Sequence, residues 1–108
     1  MMARINTRTK ARVPLETFPY DVVDYLKTLR DMQGYLDASL IEAPEDAESF
    51  SHALGDVARA VGMTEIAKKT GLGRESLYKS LNEDGNPSFA TVMKVLAAVG
   101  VQFRVVKR

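Results

Sequence analysis

The 108-residue chain contains no cysteine and a single histidine, His52. Without cysteine there is no disulfide framework and no cysteine-ligated zinc ribbon or finger, and a reducing cytoplasm suits such a chain. With one histidine, no Ser–His–acid arrangement can be assembled around a recognisable nucleophile turn. The carboxylates between residues 37 and 56 lack metal-ligand spacing. The expectation is therefore a protein that is not an enzyme and needs neither cofactor nor metal. No apolar run approaches the roughly 20 residues needed to span a bilayer. The opening MMARINTRTKARVP also lacks the apolar stretch of a secretory signal. A cytoplasmic protein away from the membrane is expected. The length admits one modest domain with a tail and is too short for a doubly wound α/β enzyme.

Charge is near balance overall but unevenly spread. The net value is +1, yet residues 1–12 carry +4, residues 13–56 carry −8 and residues 57–108 carry +5. An acidic front half flanked by basic segments suggests two surfaces with different partners. Solvated faces of no special purpose are the plainer alternative.

Residues 1–19 show no hydrophobic period and hold Pro14 and Pro19, so they read as a basic flexible arm. Residues 20–43 read as an N-terminal helical segment. Val22, Tyr25, Leu26, Leu29 and Met32 recur at spacings of three and four, and Tyr35, Leu36, Leu40 and Ile41 continue the stripe. One helix or two abutting helices both fit, with Gly34 weakening the middle. Pro44 forces a stop. Residues 46–61 form the clearest amphipathic helix, with Ala47, Phe50, Leu54, Val57 and Val61 on one face and His52 and Asp56 on the solvated side.

Gly62 ends that helix. Thr64 supplies the N-cap of a short helix that closes at Thr70–Gly71, and a second short helix covers Arg74–Leu81. NEDGNP, residues 82–87, is loop. Ser88 caps a last helix whose Phe89, Val92, Leu96 and Val99 face inward, and Gly100 stops it. The roughly alternating VQFRVVKR fits a short terminal strand.

The stretch GMTEIAKKTGLGRESLYKSL, residues 62–81, meets the steric needs of a DNA-reading helix-turn-helix. The first helix must lie close against the second through a small residue, which Ala67 supplies. The turn needs tolerance of positive φ, which Gly71 supplies four residues later. Ile66, Leu72, Leu77 and Leu81 are the inner anchors, leaving Gly73, Arg74, Glu75, Tyr78, Lys79 and Asn82 outward for a major groove. Singly, each residue is unremarkable: Leu77 is core, and Lys68 and Lys69 suit any wet face. The joint spacing carries the reading.

Residues 46–100 resemble the helix-turn-helix domain of the phage-repressor and Cro superfamily. More narrowly, YLDASL at 35–40, ALGDVARAVGMTEIAKKTGLGRESLYKSL at 53–81 and DGNPSFATVMKVLAAVG at 84–100 resemble the family of probable addiction-module antidote proteins. Ser80 departs from the wider repressor pattern, where an apolar residue is common. The resemblance implies an all-α fold. It would be a five-helix, lambda-repressor-like helix-turn-helix domain over residues 44–108, with the extra N-terminal helical segment before it. It also implies a dimeric antitoxin of a type II toxin–antitoxin module. Such a protein neutralises a RelE/ParE-type toxin and represses its own operon. Alternatives are a stand-alone prophage-type repressor and a protein-binding module that no longer meets DNA.

On this reading Arg74, Glu75, Tyr78 and Lys79 contact bases. Arg74 has the fork for guanine O6 and N7. Thr64, Lys68, Lys69, Gly73, Asn82 and Ser88 meet phosphates of double-stranded DNA, which fix register without reading sequence. Ala67, Gly71 and Leu77 set the turn and packing. The last helix and the VQFRVV segment are the preferred elements of a homodimer on an operator palindrome, a strand folded back on its own domain being the alternative.

Overall fold

A computed structural model describes residues 21–82 and 85–108; the basic arm expected at residues 1–19 lies outside the described residues. A single turn of 3-10 helix, Val22–Tyr25, precedes five helices: α1 (Leu29–Glu42), α2 (Ala47–Val61), α3 (Met63–Thr70), α4 (Arg74–Leu81) and α5 (Phe89–Val99). The fold is all-α.

The break in the first apolar stripe falls at Thr28 rather than at Gly34. Thr28 Oγ1 accepts from the Asp31 N–H at 3.0 Å, and Asp31 Oδ2 accepts from the Thr28 N–H at 3.0 Å. This reciprocal capping box starts α1 anew, and Gly34 lies within the helix with open space around it. The two backbone N–H groups of Thr28 and Lys27 hold the Asp31 carboxyl below its ordinary value. Asp46 caps α2 and Ser88 caps α5 through the N–H groups of Ser49 and Thr91. Gly62, Gly71 and Gly100 all adopt positive φ at helix ends.

α2 is the centre of the fold. It packs against α1, α3, α4, α5 and the 3-10 turn. Every residue from Ala53 to Ala58 is buried, and Leu54, Val57 and Ala58 are fully so. Leu26, Met32 and Leu36 from the N-terminal segment share this core with Ile66, Leu77, Leu81, Val95 and Leu96. α4 reaches α2 at Gly55, where an added Cβ would lie 2.5 Å from the Leu81 carbonyl oxygen. The close approach that fixes α4 is therefore made by Gly55.

Four sequence expectations are corrected. No strand forms among the described residues, and residues 101–108 run without strand pairing. Phe103 instead folds back, with its ring centroid 5.4 Å from Phe50 and stacked at 6.1 Å on Phe89. Phe89 stands at the surface, 70% exposed, and Val95 takes an inward place on α5. Asp56 is buried, not solvated, because a helix packed on so many sides has no wet face at that position. Thr64 does not cap α3. The helix begins at Met63, whose side chain is buried, and Gly62 occupies the cap position without a side-chain bond.

Candidate nucleic-acid interface

α3 and α4 are joined by three residues, Gly71–Gly73. Gly71 adopts φ 76°, ψ 9°, and its N–H donates to the Ala67 carbonyl at 2.9 Å. An L side chain there would be strained. Thr70 completes the turn. Its hydroxyl donates to the Ile66 carbonyl at 2.8 Å and accepts from the Leu72 N–H at 3.2 Å. Sequence reasoning missed that role, although a threonine just before a helix-ending glycine is a readable cue for such a bond. Ala67 is half-buried against the core, and Leu77 is fully buried.

With Leu77 and Leu81 inward, α4 presents Arg74, Glu75, Tyr78 and Lys79 to solvent. Glu75, Ser76, Tyr78, Lys79 and Asn82 line one shallow concavity on this surface. The Arg74 guanidinium lies 5.9 Å from the Tyr78 ring centroid, a cation–π contact one helical turn apart that orients the fork. Gly73 takes an extended conformation at the head of α4, which has no side-chain cap. α1, α2 and α5 are all capped by side chains, whereas α3 and α4 are not. The first N–H groups of these two helices thus retain their positive partial charge for an external acceptor.

Of the residues expected at phosphates, Thr64, Lys68 and Lys69 are exposed on α3. Lys69 Nζ lies 3.6 Å from Glu65 Oε2 in a solvent-exposed pair, weak enough to yield to a phosphate. Asn82 ends α4 at the surface. Ser88 differs from the others because its Oγ is occupied in capping α5, at 3.1 Å from the Thr91 N–H and 3.0 Å from Thr91 Oγ1.

Behind α4 lies a cavity of about 340 Å³ that brings Tyr78 and Asn82 beside His52, Asp56 and Arg59. Asp56 Oδ2 accepts from the Tyr35 hydroxyl at 2.6 Å, and Oδ1 accepts from Arg59 Nη2 at 2.7 Å. His52 Nδ1 stands 4.0 Å away. Arg59 also reaches Asp21 Oδ2 at 3.0 Å. This hydrogen bond is the main reason the Asp21 carboxyl is held below its ordinary value, with the Val23 N–H adding to it, and Asp21 in turn raises Arg59. The cluster is spent internally. It compensates the burial of the Asp56 carboxylate and ties residue 21 to α2.

No helix among the described residues is long and apolar enough to cross a membrane. No solved structure matches the chain. A protein of Haemophilus influenzae, described as an uncharacterized protein, is 46% identical over 86 residues, covering 80% of this chain and 87% of that one. Residues 16–107 match the family described as "Probable addiction module antidote protein". That match takes in all five helices, and the chain belongs to this family of addiction-module antidotes.

Proposed function

We propose that the protein is a cytoplasmic, sequence-specific DNA-binding antitoxin that represses its own operon and neutralises a RelE/ParE-type toxin. The observation that carries the DNA-binding half is the outward face of α4. Arg74, Glu75, Tyr78 and Lys79 share it, held out by the burial of Leu77 and Leu81. In this reading α4 enters the major groove with its first turn foremost. Arg74, steadied over Tyr78, meets guanine O6 and N7. Glu75 accepts from a cytosine amine, and Lys79 and Tyr78 extend the contact along the groove. Thr64 and the uncapped N–H groups of α3 face a phosphate, as do Gly73 at the head of α4, Lys68, Lys69 and Asn82, whereas the Ser88 hydroxyl is committed to capping α5.

One such motif reads only a few base pairs, so specific binding calls for a homodimer on half-sites one duplex turn apart, roughly 34 Å. Membership of an antidote family supports the toxin-neutralising half over a stand-alone repressor. The test has two arms: co-purification with the product of the adjacent gene, and a mobility-shift assay on the DNA immediately upstream. Co-purification with a retarded palindromic fragment is the expected result. Tight partner binding with no retardation at low salt would restrict the protein to protein binding.

A further inference from the structure

An open groove of about 700 Å³ lies between the α1–α2 turn, the start of α2, residues 85–87, the start of α5 and Phe103. No residue of α3 or α4 lines it. One wall is aromatic: Phe89 and Phe103 stack in parallel, and Phe103 leans on Phe50. Phe89 remains 70% exposed. Ser51 also lines the groove. It is 6% exposed, and its Oγ has no hydrogen-bond partner among the described residues.

Charge gives the groove its sign. Its charged lining residues are Glu45, Asp46 and Glu48, all acidic. Glu48 has no ion pair among the described residues, and Glu45 meets only Arg108 at 3.5 Å, both ends being well exposed. Beyond Phe103 the chain runs on with no backbone hydrogen bond among the described residues, and Val105 and Val106 are 97% and 74% exposed. An apolar cleft beside an unpaired stretch of backbone suits an added polypeptide segment better than a compact small molecule.

We infer that this groove is where the toxin docks. A basic segment of the partner places an apolar side chain against Phe89 and Phe103, and its lysines or arginines against Glu45 and Glu48. The inference rests on the antitoxin reading above and adds the surface that performs it. Because the groove draws nothing from α3 or α4, the partner can be held while the α4 face stays open to DNA.

The test uses the full-length chain and the adjacent gene product in titration calorimetry. Two variants alter exposed residues only: Phe89→Ala, and Glu45→Lys combined with Glu48→Lys. Each is expected to weaken partner binding at least about tenfold while the circular dichroism spectrum stays as in the parent, and Phe89→Ala also leaves operator affinity as in the parent. If the parent binds no such partner, the antitoxin reading fails and takes this inference with it. If the parent binds and both variants bind equally well, the groove assignment alone is overturned. It is also overturned if the variants leave partner affinity intact but shift the sedimentation equilibrium from dimer to monomer, which would make the groove an interface between copies. Deletion of residues 1–20 supplies the last arm: perturbed NMR signals in the groove would show the chain's own arm as occupant, again overturning the inference.

Discussion

The same substitution in two helix interiors should move stability in opposite directions. Gly34, in α1, has nothing within 4 Å of where a Cβ would stand. Gly34→Ala therefore gains the helix preference of alanine over glycine, about 1 kcal/mol, and should raise the midpoint of thermal unfolding by about 4–8 °C. Gly55, in α2, would place its new methyl 2.5 Å from the Leu81 carbonyl oxygen and 3.5 Å from the Leu81 Cβ. The obstacle is backbone, and Leu81 is 4% exposed in the core, so no side chain can swing aside. Relief requires α4 to move bodily from α2 by several tenths of an ångström. Overpacking of this kind costs about 1–3 kcal/mol, and a backbone obstacle places the cost near the upper end. Subtracting the roughly 1 kcal/mol of helix preference leaves a net loss of about 1–2 kcal/mol. Urea unfolding followed by far-ultraviolet circular dichroism measures both. A Gly55→Ala protein as stable as the parent would refute the claim that this contact sets the seat of α4.

Arg74→Ala should weaken operator binding by about 1–3 kcal/mol and relax preference at one base position, measured by shift assays on a panel of single-base variants. Lys68→Ala should weaken binding to all sequences alike and lower the slope of log affinity against log salt by about 1. Tyr35→Phe removes the 2.6 Å donor to Asp56, whose side chain is only 5% exposed. The loss should be about 1–3 kcal/mol in urea titration. Asp21 and Asp31 both have folded-state values lowered from 3.8. Their contribution to stability is present above that value and is lost as pH falls through the lower folded ones. Urea midpoints should therefore hold down to about pH 4 and drop below it, with a smaller drop in Asp21→Asn.

Most helix boundaries were legible because local chemistry sets them. Gly62, Gly71 and Gly100 stop helices by the backbone conformation they alone take easily, and Ser88 starts one through a single hydroxyl. The outward set on α4 was legible for a related reason: Leu77 and Leu81 fix one face, and an eight-residue helix leaves few other positions. What escaped was tertiary. A helical-wheel reading of α2 assumes one wet side and puts Asp56 in solvent, but a helix buried at every position from 53 to 58 has no wet side there. The role of Gly55 is not readable from local sequence because the Leu81 carbonyl that needs the space lies 26 positions away. Hydrophobicity alone reads Phe89 as inward, but it stands at the surface, stacked on the Phe103 ring that returns from the chain end.

The two proposed surfaces meet in α2. Ser51 lines the groove, and Gly55, one turn further on and about 6 Å along the axis, seats α4 through Leu81. Between them His52 is exposed, but α2 is buried from Ala53 to Ala58 and pinned by the Tyr35 and Arg59 bonds to Asp56. An element held this way has no second arrangement close in energy, because a shift would strand a buried carboxylate. A partner seated on the groove therefore presses on a strut rather than on a hinge, and α4 keeps its position relative to DNA. On this reading the domain carries DNA and partner together. Any influence of one on the other would come from the number of copies assembled, not from a rearrangement inside the helical core.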